Sequence, residues 1–269
     1  MQAEADYLNV MKRVAVEAGK IAMEGFRKCS SYDTKDGPAD LVTEYDRRCE
    51  AHIRAHLPVL DYFYGEESSD GTGLPRGGSG WVVDPIDGTT NFVHGVQFFA
   101  ISIALVREGL SLIGVIYAPA LDTLYYAISG KGAFISKASG PAEPLVIKNK
   151  ESTILKTSLV SCEFGATRGD PQKIERGLGE LGKLLKLPVH GIRQFGAATM
   201  NILNVAIGVV DVYYERGLKP WDMAAAVVIA REAGGTVTGI TNAKFELDVA
   251  EAIFAANPRV ADELRALIK

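Results

Sequence analysis

Between Phe98 and Ile128 the chain carries three apolar runs, residues 98–106, 111–117 and 123–128, separated only by turn residues around Gly109 and Asp122. Runs so short and so closely spaced predict antiparallel strands joined by tight turns. Upstream, Trp81-Val82-Val83 predicts a further strand, and Tyr62-Phe63-Tyr64 another. Residues 7–26 differ, with Leu8, Met11, Val14, Ala15, Ala18, Ile21 and Ala22 recurring at helical spacing. A second helix is expected over 41–56, and a Gly/Pro-rich surface loop over 71–80. After Asp170 helices alternate with strands. Helices fit residues 171–185, 197–207, 221–233 and 258–268, and strands fit 189–192, 210–214, 236–238 and 252–256, with a further apolar strand at 157–162 ahead of Asp170. The first half is therefore α+β and the second α/β. The boundary falls near Lys148-Asn149-Lys150-Glu151, giving lobes of residues 1–150 and 151–269 packed as one compact unit around a cleft.

Charge narrows the partners. Lys plus Arg total 29 against 33 for Asp plus Glu, a net charge of -4. A duplex-binding protein carries a basic excess, so nucleic acid is not expected as a partner. No apolar stretch approaches a membrane span, so no membrane association is expected. The three cysteines, Cys29, Cys49 and Cys162, are scattered and include no Cys-x-x-Cys pair. That pattern predicts no disulfide framework and no zinc site. With no signal-peptide pattern at the N-terminus, the expected location is the cytoplasm.

The chemistry concentrates in Asp84-Pro85-Ile86-Asp87-Gly88-Thr89-Thr90-Asn91, directly after an apolar strand. Pro85 lacks an N–H and fixes φ, so the chain is expected to leave its strand there and carry both acids on a rigid turn. Hard divalent cations take oxygen ligands, and Mg²⁺ combines a few carboxylates with water and substrate phosphate. Asp84 suits a carboxylate bridging two ions, and the Ile86 carbonyl suits a neutral ligand. Gly88 permits close backbone approach. Thr89 and Thr90 predict an N-cap and first helical turn, whose free N–H groups favour a phosphate. Alone, the segment also fits a purely structural acidic turn.

Other acids join it. Glu66, after the 62–64 strand, is a further candidate ligand, although paired acids there also fit a solvated rim. Asp222 is positioned as the N-cap of the 221–233 helix, with an oxygen left to ligate. Asp40 and Asp46 flank the start of the second helix with Thr43 between them, and a buried Asp there is placed to orient a threonine hydroxyl toward an attacking water.

The strings Gly65-Glu66-Glu67-Ser68, WVVDPIDGTTNF over 81–92 and WDMAAAVVIAREAGG over 221–235 resemble the signatures of the inositol monophosphatase family. Asp40-Leu41-Val42-Thr43, Gly130-Lys131-Gly132-Ala133-Phe134 and Val189-His190-Gly191-Ile192-Arg193 extend the likeness over nearly the whole chain. The resemblance implies a layered αβαβα sandwich of the sugar-phosphatase type with mixed sheets, a homodimer, two to three Mg²⁺ ions and inhibition by Li⁺. It implies one ion on Glu66, Asp84 and the Ile86 carbonyl, a second on Asp84, Asp87 and Asp222, and a weaker third on Glu66 and water. Thr89, oriented by Asp46, would help activate the attacking water. The Gly88 and Thr89 N–H groups would hold the phosphate, and Lys35 would reach it or an outer metal water. Asp87, Gly196, Ala197, Ala198, Glu215 and Asp222 would line the alcohol side.

Two positions depart from the animal members of the family. Lys219-Pro220 stands where those enzymes have His followed by Cys, and Ala166 stands where a Ser is expected. Glu215 is suited to inositol or sugar hydroxyls, which ranks inositol 1-phosphate first, while Lys219 favours a second anionic group. The rivals are fructose 1,6-bisphosphate, adenosine 3′,5′-bisphosphate and histidinol phosphate. A rival of another class is a regulatory binding protein acting in an RNA-associated complex.

Overall fold

The structure is a computed structural model that describes residues 2–29, 31–35, 40–148, 153–165 and 170–269. The boundary expected near Lys148 to Glu151 falls largely on residues 149–152, and Ala166 on residues 166–169, both outside the described residues.

The chain opens with α1 (Gln2–Gly25), the short paired strands β1 (Asp33–Thr34) and β2 (Leu41–Val42), and α2 (Glu44–His56). There follow β3 (Tyr62–Gly65), β4 (Ser79–Asp87), α3 (Thr89–His94), β5 (Ala100–Arg107), β6 (Leu110–Ala118), β7 (Thr123–Ile128), β8 (Ala133–Ser136) and β9 (Glu143–Leu145). The second half comprises β10 (Leu159–Cys162), α4 (Pro171–Leu185), β11 (Gly191–Arg193), α5 (Ala198–Ala206), β12 (Val212–Arg216), α6 (Pro220–Glu232), β13 (Thr236–Thr238), β14 (Glu251–Ala255) and α7 (Pro258–Ile268).

Strands β3 to β9 form one seven-stranded sheet in sequence order, antiparallel except for the parallel β3–β4 pair. A five-stranded mixed sheet has the order β11-β10-β12-β14-β13. The side-chain period of two divides the large sheet between two cores. Trp81, Val83, Ile103 and Leu105 pack against α1 and α2, while Val82, Ala104 and Val106 face α5 and α6. The small sheet divides likewise, with Tyr213 and Phe254 toward α5 and α6, and Val212, Tyr214 and Ile253 toward α7. The layers run α1/α2, sheet, α5/α6, sheet, α4/α7, which is the αβαβα sandwich.

Helix α6 lies between the two sheets and is buried from Met223 to Ala230. A helix enclosed on all sides must be apolar all round, and its alanines let the sheet approach closely. A Cβ at Gly114 of β6 would collide with the Ala225 carbonyl. At its end, the Glu232 carboxylate accepts from the Gly130 and Gly132 N–H groups, both at 2.7 Å. The turn that presents these N–H groups takes Gly130 and Gly132 through φ +77° and +82°, which explains the glycines of the 130–134 string.

Three sequence expectations need correction. Helix α2 starts at Glu44 rather than Leu41, because Thr43 caps it and Asp46 returns the bond to the Thr43 N–H at 2.8 Å. The 71–80 loop ends at Gly78, since Ser79 and Gly80 already pair with β5. Strands β8 and β9 were not expected; they are short and their alternation is weak.

Candidate active site

Strand β4 delivers the two acids. It does not end at Pro85, as the sequence reading expected, but continues to Asp87 across a break in register against β5 between Asp84 and Asp87. A bulge is where a strand tolerates a residue without a donor N–H. The acids therefore sit on a strand end held by the sheet. The Ile86 N–H donates to Asp84 Oδ1 at 3.0 Å, and both carboxylates are buried.

The chain then turns through Gly88, with φ +86°, which is the N-cap of α3. Thr89 is the first helical residue and not the cap, because the turn needs a left-handed conformation that glycine adopts readily. A Cβ at Gly88 would lie 2.8 Å from Ala197 Cβ and 3.1 Å from the Phe98 carbonyl. Thr89 Oγ1 lies 3.1 Å from both Asp46 Oδ1 and the Ile86 carbonyl, and its one proton serves either. Asp46 is buried and also accepts from the Thr43 hydroxyl at 2.6 Å. Burial pushes its carboxyl up to about 6, against the pull of these bonds.

From the second half of the chain, Asp222 arrives at the start of α6. It is the third residue of that helix, not its N-cap, and accepts from the Lys219 N–H at 2.7 Å. Asp84, Asp87 and Asp222 each place a carboxylate oxygen within 4.8 Å of the other two. Asp87 also accepts from the Ala198 and Thr199 N–H groups, at 3.2 and 2.7 Å. It thereby caps α5, whose own N-cap Ala197 has no acceptor side chain. The N–H of Ala198, a residue expected to line the alcohol side, is thus bonded to Asp87.

Glu66 and Asp84 stand within hydrogen-bonding reach of each other. Lys35 Nζ lies 2.8 Å from Glu66 and 2.6 Å from Glu67, so in this structure it is paired with the acids beside the cluster. Across the site, Glu215 is buried and accepts from the Tyr213 hydroxyl. Burial first, then Glu163 and Asp87, pushes its carboxyl up to about 8. Gly196 and Ala197 lie against the Gly88 turn, and Lys219 is exposed.

Sequence reasoning missed two residues here. Asn91 Nδ2 donates to the Phe98 and Phe195 carbonyls, at 2.7 and 2.6 Å, tying α3 to the segment before α5. Glu163 accepts from the Gly196 N–H. Asn91 stood in the recognised string, but nothing local to Glu163 signalled its contact.

The inositol monophosphatase family profile matches residues 4–269. The chain belongs to the inositol monophosphatase family. It is 35% identical to inositol monophosphatase 1 of Bos taurus, covering 93% of this chain and 90% of that one. It is 37% identical to inositol monophosphatase 3 of Solanum lycopersicum, covering 95% and 94%. Its fold is similar to that of the extragenic suppressor protein suhB of Bartonella henselae, with a TM-score of 0.82, 31% identity and 97% of each chain covered. It is likewise similar to an inositol monophosphatase of Thermotoga maritima, with a TM-score of 0.82, 30% identity and coverage of 98% and 96%. The protein is accordingly a metal-dependent phosphatase, a phosphoric monoester hydrolase.

The donor set of this inositol monophosphatase family member fits a hard divalent cation. All three clustered carboxylates are raised above the ordinary range. Burial is the largest cause for each, and for Asp84 the charges of Glu66, Asp87 and Asp222 come next. Positive charge placed between them would relieve both effects.

A pH dependence follows. Without a cation, the folded phosphatase holds protons on these acids that the unfolded chain releases above about pH 4. The corresponding stability is full below that pH and is lost as pH rises through the raised values, about 6 for Asp87 and about 7 for the neighbouring Glu66. The depressed acids Glu4, Glu17 and Glu263 act below that window. The chelated protein is expected to lose Tm from about pH 5 to about pH 8, and a saturating divalent cation to reverse most of the loss. A Tm in chelator that holds or rises across that range would contradict the arrangement.

Proposed function

We propose that this phosphatase hydrolyses inositol 1-phosphate to inositol and inorganic phosphate, uses two to three Mg²⁺ ions, is inhibited by Li⁺, and works as a cytoplasmic homodimer. The observation that carries the proposal is the meeting of Asp84, Asp87 and Asp222 beside the Thr89–Asp46 pair. In this assignment Glu66, Asp84 and the Ile86 carbonyl hold one ion, Asp84, Asp87 and Asp222 a second, and Glu66 a weaker third. Bound there, the ions neutralise the phosphate dianion, lower the pKa of a bound water and stabilise the leaving alkoxide.

The chain's own groups do the rest. Asp46 Oδ1 accepts the Thr89 hydroxyl proton, which leaves Thr89 Oγ1 as an acceptor that orients the attacking water. The Gly88 and Thr89 N–H groups bind the phosphate, and Lys35, which pairs with Glu66 and Glu67, reaches it or an outer water of an ion. Glu215, Gly196 and Ala197 face the alcohol, together with Asp87 and Asp222, and the Ala198 amide acts through its bond to Asp87. The isolated, half-buried or buried cysteines suit a reducing compartment.

Exposed Lys219 next to Asp222 supports a second reading, in which the substrate carries a second phosphate, as fructose 1,6-bisphosphate or adenosine 3′,5′-bisphosphate does. The deciding measurement is phosphate release from a panel of these esters and histidinol phosphate with Mg²⁺, with and without Li⁺. Inositol 1-phosphate is expected to give the highest kcat/KM. If it is cleaved no faster than the rivals, the substrate assignment fails, while a monomer mass on gel filtration would remove the homodimer.

A further inference from the structure

Glu163 follows β10 and has no place in the assignments above. Its Oε1 accepts from the Gly196 N–H at 2.8 Å and from Asn201 Nδ2 at 3.0 Å. Asn201 is fully buried, and its Nδ2 also donates to the Ala197 carbonyl at 2.9 Å. Asn91 holds the Phe195 carbonyl, and Asp87 holds the Ala198 and Thr199 N–H groups. The stretch 195–199 is thus fastened from β4, α3, α5 and the end of β10. Of these, Glu163 is the fastening that reaches from the five-stranded sheet.

The neighbouring packing leaves little slack. Gly196 has φ +76°, and a Cβ there would lie 2.8 Å from Asn91 Oδ1. Ala197 touches the Gly88 turn on the other side. A tilt of the Gly196–Ala197 peptide is therefore a displacement within the site. Hydrogen bonds to a carboxylate are short and directional, so Glu163 fixes that tilt.

We propose that Glu163 is a positioning residue that aims the Gly196–Ala197 peptide at the hydroxyl-bearing part of the substrate. The inference rests on the reading that this segment faces the alcohol. It makes a distinction that a merely structural role would not. Among the described residues, the hydrogen bonds of the Glu163 carboxylate go to Gly196 and Asn201, and not to Gly88, Thr89 or the clustered carboxylates. Losing Glu163 should weaken recognition of an ester rich in hydroxyls and spare one that has none.

The test compares E163A and E163Q on inositol 1-phosphate and on p-nitrophenyl phosphate, with inhibition by inorganic phosphate measured alongside. E163A is expected to raise KM for inositol 1-phosphate on the order of tenfold, since misplacement by about 1 Å can cost up to about a hundredfold. KM for the aryl ester and inhibition by phosphate should stay within about twofold, at a cutoff well below that tenfold effect. E163Q keeps an acceptor oxygen and should stay near the parent on both esters. Equal effects on the two esters, no effect on either, or E163Q matching E163A would each overturn the proposal. If E163A fails to fold, E163D, whose carboxylate is withdrawn by one methylene, carries the same comparison. If the parent enzyme prefers another polyol phosphate, the substrate assignment has failed instead, and the comparison run on that ester still decides the role of Glu163.

Discussion

Asp84→Asn is expected to lower turnover measured with Mg²⁺ by about a thousandfold or more, and at the same time to make the chelated protein more stable. The first effect follows from removing the carboxylate common to the two proposed ion positions, where several kcal/mol of transition-state stabilisation are at stake and each 1.36 kcal/mol is about tenfold in rate. The second follows from electrostatics. Asp84 is buried, and its carboxyl is raised by burial and by Glu66, Asp87 and Asp222. A neutral amide of the same shape removes that repulsion. At about pH 8 the gain should be on the order of 1–2 kcal/mol, a rise of a few degrees in Tm. Phosphate release and thermal unfolding in chelator measure the two effects. A variant that loses activity and is also less stable without metal would refute the picture of a site held against its own repulsion.

Asp87 is a less clean position for that experiment. Its two oxygens accept separate backbone bonds from α5, and an amide can accept only through one. Activity and the seating of α5 would change together.

Gly88→Ala is expected to destabilise the protein by about 2–5 kcal/mol. Of this, about 1–2 kcal/mol comes from forcing an L-residue into the left-handed region, and the rest from overpacking against Ala197 and the Phe98 carbonyl. Gly71→Ala is the matched control. Gly71 has φ +76°, but nothing lies within 4 Å of its would-be Cβ. The control should show only the conformational part. Denaturant unfolding of both variants separates the two contributions. If they cost the same, the Gly88 turn is not interlocked with the 196–197 segment.

Much of the fold was legible because the signals are local. Helices α4 and α7 begin at Pro171 and Pro258, each preceded by a side-chain cap, Asp170 or Asn257. They match the expected residues 171–185 and 258–268. Strand β7 and strand β13 match as well, since their turns are marked by Asp122 and by Gly234-Gly235. The acids and threonine of the 84–91 segment were visible for the same reason, as a few residue types crowded into one short string.

The details that turn this string into a site were not local. Whether β4 stops at Pro85 depends on its register against β5, which no propensity within β4 records. Whether Thr89 or Gly88 caps α3 depends on the space left by Ala197, more than a hundred residues away in the chain. Asp87 caps a helix 111 residues downstream, and Glu163 clasps a peptide 33 residues away. The sequence by itself determined which carboxylates, hydroxyl and glycine the protein brings to its chemistry, because composition and short-range spacing carry that information. Only the packing of two sheets around α5 and α6 decided which oxygen faces the carboxylate cluster and which is spent on holding a helix, because that choice is made by groups that meet only after the chain has folded.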